Sequence, residues 1–359
     1  MKNYQDIVSK FLIEGNVTEV KPLGNGLIND TLLVNTDGTK KYVLQKINNA
    51  IFTDVELLQN NIKAVTEHIR AKLVAAGTSD MDRKVLTLVD TVDGKTYYCD
   101  GTSYWRITEF IPDSVTYELV DPEYSELCGR AFGEFQSMLA DIDKELGESI
   151  PDFHNMEFRM KQFMDAIEAN PVGRLADVKE LVDALLSRGE NMCKAEVLFR
   201  AGLLPKRICH CDTKVNNMLF DKNDNSFLCV IDLDTVMPSF VFSDYGDFLR
   251  TAANTAPEDE PDLEKISFRK DIFEAFTRGY LSSARSFLTA TEIANLPYAV
   301  ALFPYMQCVR FLTDYINGDT YYKIKYSDHN KVRSYAQFRL LECVENNMEY
   351  ITNFINLQQ

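Results

Sequence analysis

The sequence predicts an α+β protein in which a small antiparallel sheet precedes a larger, mostly helical region. Up to residue 111, short segments of β-branched and aromatic residues alternate with turn residues, as expected for strands. From residue 121 onward, apolar residues recur with helical spacing. Pro112 in FIPDS separates the two patterns. We therefore expect an N-terminal lobe at 1–111 and a C-terminal lobe at 112–359.

The N-terminal lobe is predicted to hold six strands, a glycine-rich loop and one long helix. A short amphipathic helix at about 4–14 comes first, and the helical spacing of 54–76 ends at the stop signal AAGTSD. The predicted strands are VTEVKPL, TLLVNT, YVLQKI, KVLTLV, KTYYCD and YWRITEF. GNGLIND lies between the first two strands, where its backbone N–H groups could face bound phosphates.

The C-terminal lobe is predicted to be helical on both sides of a single hairpin. The expected helices cover 121–142, 157–169, 178–199, 263–285, 290–316 and 333–355. The hairpin consists of MLF and FLCVI around the turn-rich DKNDNS. The acidic run EDEPDLE at 258–264 is expected to be a solvated loop.

Composition limits the classes of partner. The net charge of −16 argues against nucleic acid and against an anionic membrane surface, because both attract basic proteins. The eight cysteines are scattered and mostly lie in apolar segments, which is typical of reduced core thiols. We find no apolar segment of membrane-spanning length and no targeting signal. We therefore expect a cytoplasmic monomer.

The segment CHCDTKVNNML carries the strongest functional pattern. It places His210, Asp212 and Asn217 in the order H-x-D-x-x-x-x-N, and Asp232 follows a short apolar run. Phosphoryl transfer needs a carboxylate to orient and deprotonate the acceptor hydroxyl, and oxygen ligands for Mg²⁺ on the triphosphate. We interpret Asp212 as the catalytic base and Asn217 with Asp232 as the Mg²⁺ ligands. The sequence therefore predicts a phosphotransferase that uses ATP.

The pattern also has simpler interpretations. It could be a loop capped by His210, and Cys209 with Cys211 could be imagined as zinc ligands. A zinc site is not supported, because no C-x-x-C pair or second His cluster accompanies them. Asp234 is expected to share a strand and a face with Asp232, where it could touch acceptor or metal. Asp244 is expected to brace the catalytic loop by hydrogen bonds.

Taken together, these segments resemble the aminoglycoside phosphotransferase and choline kinase superfamily, whose members share the bilobal protein-kinase-like fold. The matching segments are GNGLINDTLLV, YVLQKIN, WRITEFI, CHCDTKVNNMLFD, VIDLDTVMPSFVFSDYGDFLR and RFLTDYINGDTYYKIKYSDHN. Within the superfamily, the chain is similar to bacterial N-acetylhexosamine 1-kinases. The resemblance implies ATP-dependent phosphorylation of the anomeric hydroxyl of N-acetylglucosamine or N-acetylgalactosamine.

The resemblance also implies roles for individual residues. Thr235, Arg310 and Tyr321, with Asp212, are expected to line the sugar pocket. The expected nucleotide contacts are Gly24, Asn25, Gly26, Asn29, Glu109 and Ile111. Arg310 has a structural alternative, an ion pair with Asp314 four residues on.

The third predicted strand departs from the kinase pattern. Kinases usually place Lys or Arg there to bind the α- and β-phosphates, whereas this chain has Gln45. Lys46 should face the opposite side of the strand, unless a bulge or a shifted register lets it serve.

Other acceptors and another class of protein stay open at this point. The acceptor could be choline, an aminoglycoside, homoserine or a sugar such as methylthioribose. A cationic acceptor would need clustered carboxylates, and Asp314, Asp319 and Asp328 lie near several tyrosines. A nucleotide-binding scaffold without activity is disfavoured, because Asp212, Asn217 and Asp232 are all present.

Overall fold

The computed structural model describes residues 4–24, 28–118 and 120–358, which form two compact units. Unit 1 comprises Met1–Thr116, Asp141–Pro151 and Asn217–Met237. Unit 2 comprises Tyr117–Ala140, Asp152–Asn216 and Pro238–Gln359. The predicted class, an antiparallel sheet followed by helices, is confirmed. The lobe boundary at 111–112 stays a prediction, and two later segments cluster with unit 1.

Most strands belong to unit 1. In chain order the strands are β1 (Val17–Pro22), β2 (Asp30–Thr36), β3 (Tyr42–Ile47), β4 (Leu88–Val89), β5 (Tyr98–Cys99), β6 (Tyr104–Glu109), β7 (Ser114–Val115), β8 (Arg207–Cys209), β9 (Met218–Asp221), β10 (Phe227–Val230) and β11 (Met237–Ser239). The main sheet has the order β1-β2-β3-β6-β4, with β5 also paired to β6. A smaller antiparallel sheet, β10-β9-β7, contains the predicted hairpin.

Helices make up most of unit 2, and three more in the described part of the chain, the first three in order, belong to unit 1. In chain order the helices of both units are α1 (Tyr4–Val8), α2 (Val55–Ala75), α3 (Met81–Lys84), α4 (Pro122–Leu139), α5 (Met156–Ala169), α6 (Lys179–Leu186), α7 (Gly189–Met192), α8 (Lys194–Arg200), α9 (Phe242–Ala252), α10 (Lys270–Ala284), α11 (Ala290–Ala294), α12 (Leu296–Ile316), α13 (His329–Glu345) and α14 (Met348–Leu357). None of the helices in the described residues is both long and apolar enough to cross a bilayer.

Helix α2 ties the later segments of unit 1 to its sheet region. Asp54 caps the helix by accepting a hydrogen bond from the Leu57 backbone N–H at 2.9 Å. Asn61, buried on the inner face, donates from Nδ2 to the carbonyls of Gly147 (2.7 Å) and Val236 (3.1 Å). This side chain therefore fixes the chain just beyond the predicted metal strand.

The core of unit 2 forms where α4 and α10 pack closely and α12 runs through the interior. A Cβ at Gly129 would lie 2.2 Å from the Phe276 carbonyl oxygen, and one at Gly279 would lie 2.0 Å from that of Glu126. Only glycine permits so close a backbone approach. Phe276 also stacks on Phe248 of α9 with ring centroids 4.0 Å apart. The resulting frame holds α9 next to the catalytic loop.

Several predicted elements have different bounds. The first helix ends at Val8 instead of about residue 14, and α3 was not predicted. The segment expected as one helix at 263–285 contains a 3₁₀ turn at Leu263–Lys265 followed by α10. The segments expected at 290–316 and 333–355 are each two helices.

The acidic run begins as a loop, as predicted, but its first residues are less solvated than expected because they pair with other side chains. Glu258 accepts a hydrogen bond from the guanidinium of buried Arg250 at 2.7 Å. Asp259 pairs with Lys325 (2.8 Å) and with Nε2 of the fully buried His329 (3.0 Å). The Lys325 hydrogen bond, with a smaller contribution from His329, lowers the pKa of Asp259 to about 2.

Candidate active site

The predicted catalytic loop, residues 210–216 of unit 2, is braced by one buried carboxylate. Asp244 of α9 accepts hydrogen bonds from the backbone N–H groups of His210 (3.0 Å) and Cys211 (2.8 Å) and from Gln136 Nε2 (2.8 Å). Burial raises the pKa of Asp244, and the three N–H donors act in the opposite direction. Thr213 Oγ1 donates to the Asp244 carbonyl at 2.8 Å. The prediction that Asp244 braces the loop is confirmed.

His210 positions the backbone of Asp212, two residues further along the chain. Its ring is fully buried and makes edge contacts with Phe132 and Phe135, at centroid distances of 6.0 and 6.1 Å. Nδ1 accepts a hydrogen bond from the Asp212 backbone N–H at 3.3 Å. Since aromatic packing fixes the ring, this hydrogen bond also fixes the backbone that carries Asp212.

The carboxylate of Asp212 is half-buried and lies against a lysine that the sequence reasoning did not single out. Lys214 Nζ lies 2.9 Å from Oδ1 and 3.2 Å from Oδ2 of Asp212. Burial lowers the pKa of Lys214, but the charge and the hydrogen bond of Asp212, together with the charge of Asp247, outweigh this and the net shift is upward. The only signal in the sequence was the position of Lys214 in the loop, two residues after Asp212.

A cavity of about 680 Å³ in unit 2 opens beside this loop. It is lined by Glu118, Val120, Lys214, Val215, Asn216, Thr251, Ala252, Asn254, Thr255 and Arg269. Its lining includes Lys214, which pairs with Asp212, but neither Arg310 nor Tyr321. Of the predicted sugar-binding residues of unit 2, Asp212 therefore lies beside this cavity, whereas Arg310 and Tyr321 lie elsewhere in the unit.

Arg310 is held by aromatic rings and not by the alternative ion pair. Its guanidinium lies 5.1 Å from the Phe153 ring centroid and 5.7 Å from that of Tyr322, and it donates to Gln307 Oε1 at 3.1 Å. The carboxylate of Asp314 accepts hydrogen bonds from the backbone N–H groups of 320–322 and from Asn330 Nδ2. Within the described part of the chain, Arg310 and Asp314 form no ion pair.

Two further side chains belong to the surroundings of Arg310. Tyr321 contacts Tyr322, whose ring lies near the guanidinium, and His154 is close enough to feel its charge. Tyr321 is 59% exposed and meets Tyr322 edge to face with centroids 4.8 Å apart. His154, which the sequence reasoning missed, stacks on Phe153 at 4.4 Å and its Nδ1 lies 3.0 Å from Ser243 Oγ. Burial and the charge of Arg310 hold the pKa of His154 well below its usual range, so its imidazole is neutral at pH 7.

Asn217 and Asp232 are brought side by side in unit 1. The carbonyl of Asn217 accepts a hydrogen bond from the Ile231 backbone N–H at 2.8 Å, one residue before Asp232. Asp232 is exposed and has a left-handed backbone with φ of 58°, a conformation that Asp tolerates better than most residues. An amide oxygen and a carboxylate suit Mg²⁺, which prefers hard oxygen ligands and shares its shell with phosphates and water.

The prediction that Asp232 and Asp234 share a strand and a face is wrong. Strand β10 ends at Val230, and Asp232 precedes a 3₁₀ turn at Leu233–Thr235. Asp234 is buried, whereas Asp232 is exposed. Thr235 is also buried, in unit 1. Asp234 forms an ion pair with buried Arg106, another residue that the sequence reasoning missed.

The predicted nucleotide contacts all belong to unit 1, and two of them, Asn25 and Gly26, lie outside the described residues. Gly24 has a left-handed φ of 69°. Asn29 is buried and donates from Nδ2 to Asp234 Oδ2 at 2.5 Å. Glu109 pairs with Lys40 at 2.6 Å, and Ile111 is buried against Leu228 and Cys229. The nucleotide-binding roles of these residues stay predictions.

No His, Cys, Asp or Glu cluster of three or more that could hold a metal occurs in residues 4–24, 28–118 and 120–358. Cys209 donates from Sγ to the Phe240 carbonyl at 3.3 Å, and burial raises the pKa of both Cys209 and Cys211. These thiols therefore behave as core residues.

A model of the phosphotransferase enzyme family matches residues 19–284, which is most of the chain. The chain belongs to this family. The phosphotransferase resembles amicoumacin kinase in complex with AMP-PNP, Ca²⁺ and amicoumacin, with a TM-score of 0.60, 12% identity and coverage of 95% of this chain and 94% of that one. It also resembles Plasmodium vivax ethanolamine kinase, with a TM-score of 0.55, 17% identity and coverage of 89% and 81%. It is also similar to a spectinomycin phosphotransferase in complex with ADP and spectinomycin, with a TM-score of 0.56, 11% identity and coverage of 97% of this chain and 98% of that one. These solved structures establish the kinase-like fold of the phosphotransferase.

Proposed function

We propose that this phosphotransferase transfers the γ-phosphoryl group of ATP to the anomeric hydroxyl of an N-acetylhexosamine, N-acetylglucosamine or N-acetylgalactosamine, and gives the 1-phosphate. The observation that carries the proposal is Asp212, which His210 positions through the backbone and Lys214 contacts at the carboxylate. Asn217 and Asp232 would hold Mg²⁺, whose chemistry is to neutralise charge on the triphosphate. We further propose that residues 1–111 form the nucleotide-binding lobe of a cytoplasmic monomer.

In the proposed reaction one bond forms, one bond breaks, and one proton moves to Asp212. The acceptor O1 forms a bond to the γ-phosphorus, and the bond from that phosphorus to the bridging oxygen of ADP breaks. The O1 proton passes to the Asp212 carboxylate. The Lys214 ammonium, 2.9 Å from that carboxylate, orients it and remains protonated. Positioning and electrostatics supply most of the rate enhancement in such transfers.

The charges around Arg310 favour a neutral acceptor over a cationic one. Two of the three carboxylates that could have bound a cationic acceptor already have partners. The Asp314 carboxylate accepts hydrogen bonds from backbone N–H groups and Asp319 pairs with Arg174, while Asp328 is exposed. Arg159 is close enough to Arg310 that burial and the charge of Arg310 lower its pKa to about 10. Two guanidinium groups would repel choline or an aminoglycoside, whereas an acetamido sugar offers them hydroxyl and carbonyl oxygens.

The solved structures support a small acceptor that carries a hydroxyl group. They include kinases for ethanolamine and for amicoumacin, so the fold is used on compounds of this size. Their low identity leaves the acceptor to be argued from this chain's own side chains.

An acceptor screen read by ADP release tests the proposal. With Mg·ATP, we expect turnover of N-acetylglucosamine or N-acetylgalactosamine and none of choline, homoserine or an aminoglycoside. Arg310→Ala and Tyr321→Ala should each raise the sugar KM by about tenfold with little change in the ATP KM, a loss typical of one or two hydrogen bonds. Lys179→Ala, on an exposed face of α6, is the matched control. Rapid turnover of a cation with neither sugar used would refute the proposal.

A further inference from the structure

The nucleotide-facing sheet of unit 1 lacks the cation that kinases place on the third strand. Gln45 occupies that position on β3, and β3 pairs with β2 and β6 in an unbroken register. Because there is no bulge, Lys46 stays on the opposite face from Gln45. The bulge or register shift that would let Lys46 bind the phosphates is therefore absent from β3.

A different cation lies beside Gln45. Arg106 of β6 is its direct cross-strand partner, and Arg106 is only 3% exposed. Its Nε donates to Gln45 Oε1 at 2.9 Å, and Gln45 Nε2 donates in turn to Thr31 Oγ1 at 3.2 Å. Residues directly opposite in an antiparallel pair have Cβ atoms about 5 Å apart, so Arg106 can place its charge close to where a lysine at Gln45 would.

Arg106 also has an acidic partner, as the third-strand lysine of kinases does. Its Nη1 forms an ion pair with Asp234 Oδ1, and the other oxygen, Oδ2, accepts a hydrogen bond from Asn29 at 2.5 Å. Asn29 lies in the glycine-rich segment, and its own Oδ1 accepts a hydrogen bond from the Asn48 backbone N–H at 2.9 Å. Asp234 stands two residues after the proposed metal ligand Asp232. The cluster thus links the third strand, the glycine-rich segment and the 3₁₀ turn that follows Asp232.

One part of the guanidinium is not used by the fold. Among the described residues, Nε and Nη1 of Arg106 have hydrogen-bond partners and Nη2 has none. Buried ion pairs are weak sources of stability, because desolvation of both charges offsets their attraction. In other proteins, apolar residues of similar volume often replace such pairs without loss of stability. A role outside folding is therefore worth testing for this charge.

We propose that Arg106 is the cation that binds the nucleotide phosphates in place of the third-strand lysine, with Asp234 as its acidic partner and Gln45 as a positioning residue. The proposal rests on the proposed use of ATP and does not depend on the identity of the acceptor. It assigns the missing charge to the neighbouring strand, with the register of β3 and β6 unchanged.

Binding of phosphate-bearing and phosphate-free ligands separates this role from a structural one. Calorimetry would measure the affinities of Mg·ATP, Mg·ADP and adenosine for each variant. Arg106→Gln should weaken Mg·ATP about tenfold to hundredfold, the range of one or more charge-assisted hydrogen bonds, and leave adenosine unchanged. Arg106→Lys should retain most of the affinity, because the charge remains. Arg83→Gln, which breaks the Arg83–Asp221 pair elsewhere in unit 1, is the control and should leave both affinities unchanged.

Two double variants keep the test decisive if Arg106→Gln does not fold. Arg106→Gln with Asp234→Asn removes both charges, so no unpaired carboxylate stays buried, and it should show the same phosphate-specific loss. Arg106→Gln with Gln45→Lys returns the charge to the third strand and should recover most of the Mg·ATP affinity.

The outcomes that overturn the proposal are distinct from failure of the proposed function. Unchanged Mg·ATP affinity in the neutral double variant, or an equal loss for adenosine and Mg·ATP, would show that Arg106 has only a structural role. Failure of the Gln45→Lys variant to recover affinity, while it still binds adenosine normally, would also overturn the proposal. If the wild-type protein binds no Mg·ATP, the proposed function itself falls, and this inference with it.

Discussion

Asp234 of unit 1 and Asp244 of unit 2 are both buried carboxylates, yet their charges are satisfied in opposite ways. In unit 1, Asp234 pairs with the guanidinium of Arg106 and with Asn29. In unit 2, the carboxylate of Asp244 accepts hydrogen bonds from neutral N–H groups of His210, Cys211 and Gln136. Neutral donors fix the path of the backbone, whereas a guanidinium keeps a positive charge at a chosen place. We infer that Asp244 maintains loop geometry and Asp234 maintains charge.

The largest expected effect is on kcat, from substitution of Asp212 in the loop that Asp244 braces. Asp212→Asn should lower kcat by about 10²- to 10⁴-fold, the usual contribution of a general base, while Mg·ATP still binds. Steady-state kinetics on the best acceptor and calorimetry with Mg·ATP would measure the two quantities. Lys222→Ala, an exposed lysine in the hairpin turn, is the control. Near-full turnover by Asp212→Asn would show that the loop does not carry the base.

The second prediction concerns the two oxygen ligands beside Asp234. Asp232→Ala should lower turnover by about 10²- to 10³-fold at ordinary Mg²⁺, because a bound metal supplies several kcal/mol of transition-state stabilisation. Asn217→Ala should lose less and should partly recover at high Mg²⁺ or with Mn²⁺, since a neutral ligand contributes less attraction. Turnover measured across a metal titration tests this. Equal losses that no metal concentration changes would mean that both residues are structural.

The third prediction tests the comparison itself. Asp244→Asn leaves at least one buried N–H without an acceptor, so it should lower the free energy of unfolding by about 2–4 kcal/mol and lower kcat with the ATP KM unchanged. Asp234→Asn should instead raise the ATP KM. Urea unfolding and steady-state kinetics on both variants would measure these changes. The distinction between the two carboxylates fails if the variants change kcat and the ATP KM in the same way.

The smallest expected effect is a pH dependence in unit 2. The folded pKa of His154 is depressed by burial, while the unfolded value is near 6.5, so the unfolded state binds the proton first as pH falls. Stability attributable to neutral His154 is therefore fully present above pH 6.5 and decreases below it. Between pH 7.5 and 5.5, wild type should lose about 1 kcal/mol more unfolding free energy than His154→Gln. Parallel pH profiles in urea unfolding would contradict the assignment.

Local patterns were enough to predict much of the fold. The helical spacing of 54–76 predicted α2 within one residue at each end, and the hairpin after the catalytic loop is present as β9 and β10. These two features depend on neighbours in sequence or on a single turn. The brace from Asp244 was also predicted, although it spans 33 and 34 positions.

Other features that depend on distant partners could not be predicted. Arg106 meets Asp234 across 128 positions, and no periodicity in either segment indicates this pairing. The strand ends at Val230, Asp232 has a left-handed backbone, and Asp234 is buried, and alternation along a strand indicated none of these features. His154 has no motif around it, and it becomes recognisable only when Phe153, Ser243 and Arg310 surround it.

The most direct test of the central claim is the position of the phosphate on the product. After incubation of the wild-type protein with Mg·ATP and N-acetylglucosamine or N-acetylgalactosamine, phosphorus–proton correlation NMR should couple the new phosphorus signal to the anomeric proton. The 1-O-methyl glycosides, which lack the acceptor hydroxyl, should give no product. Phosphorus coupled to any other sugar proton, or turnover of a methyl glycoside, would contradict the account.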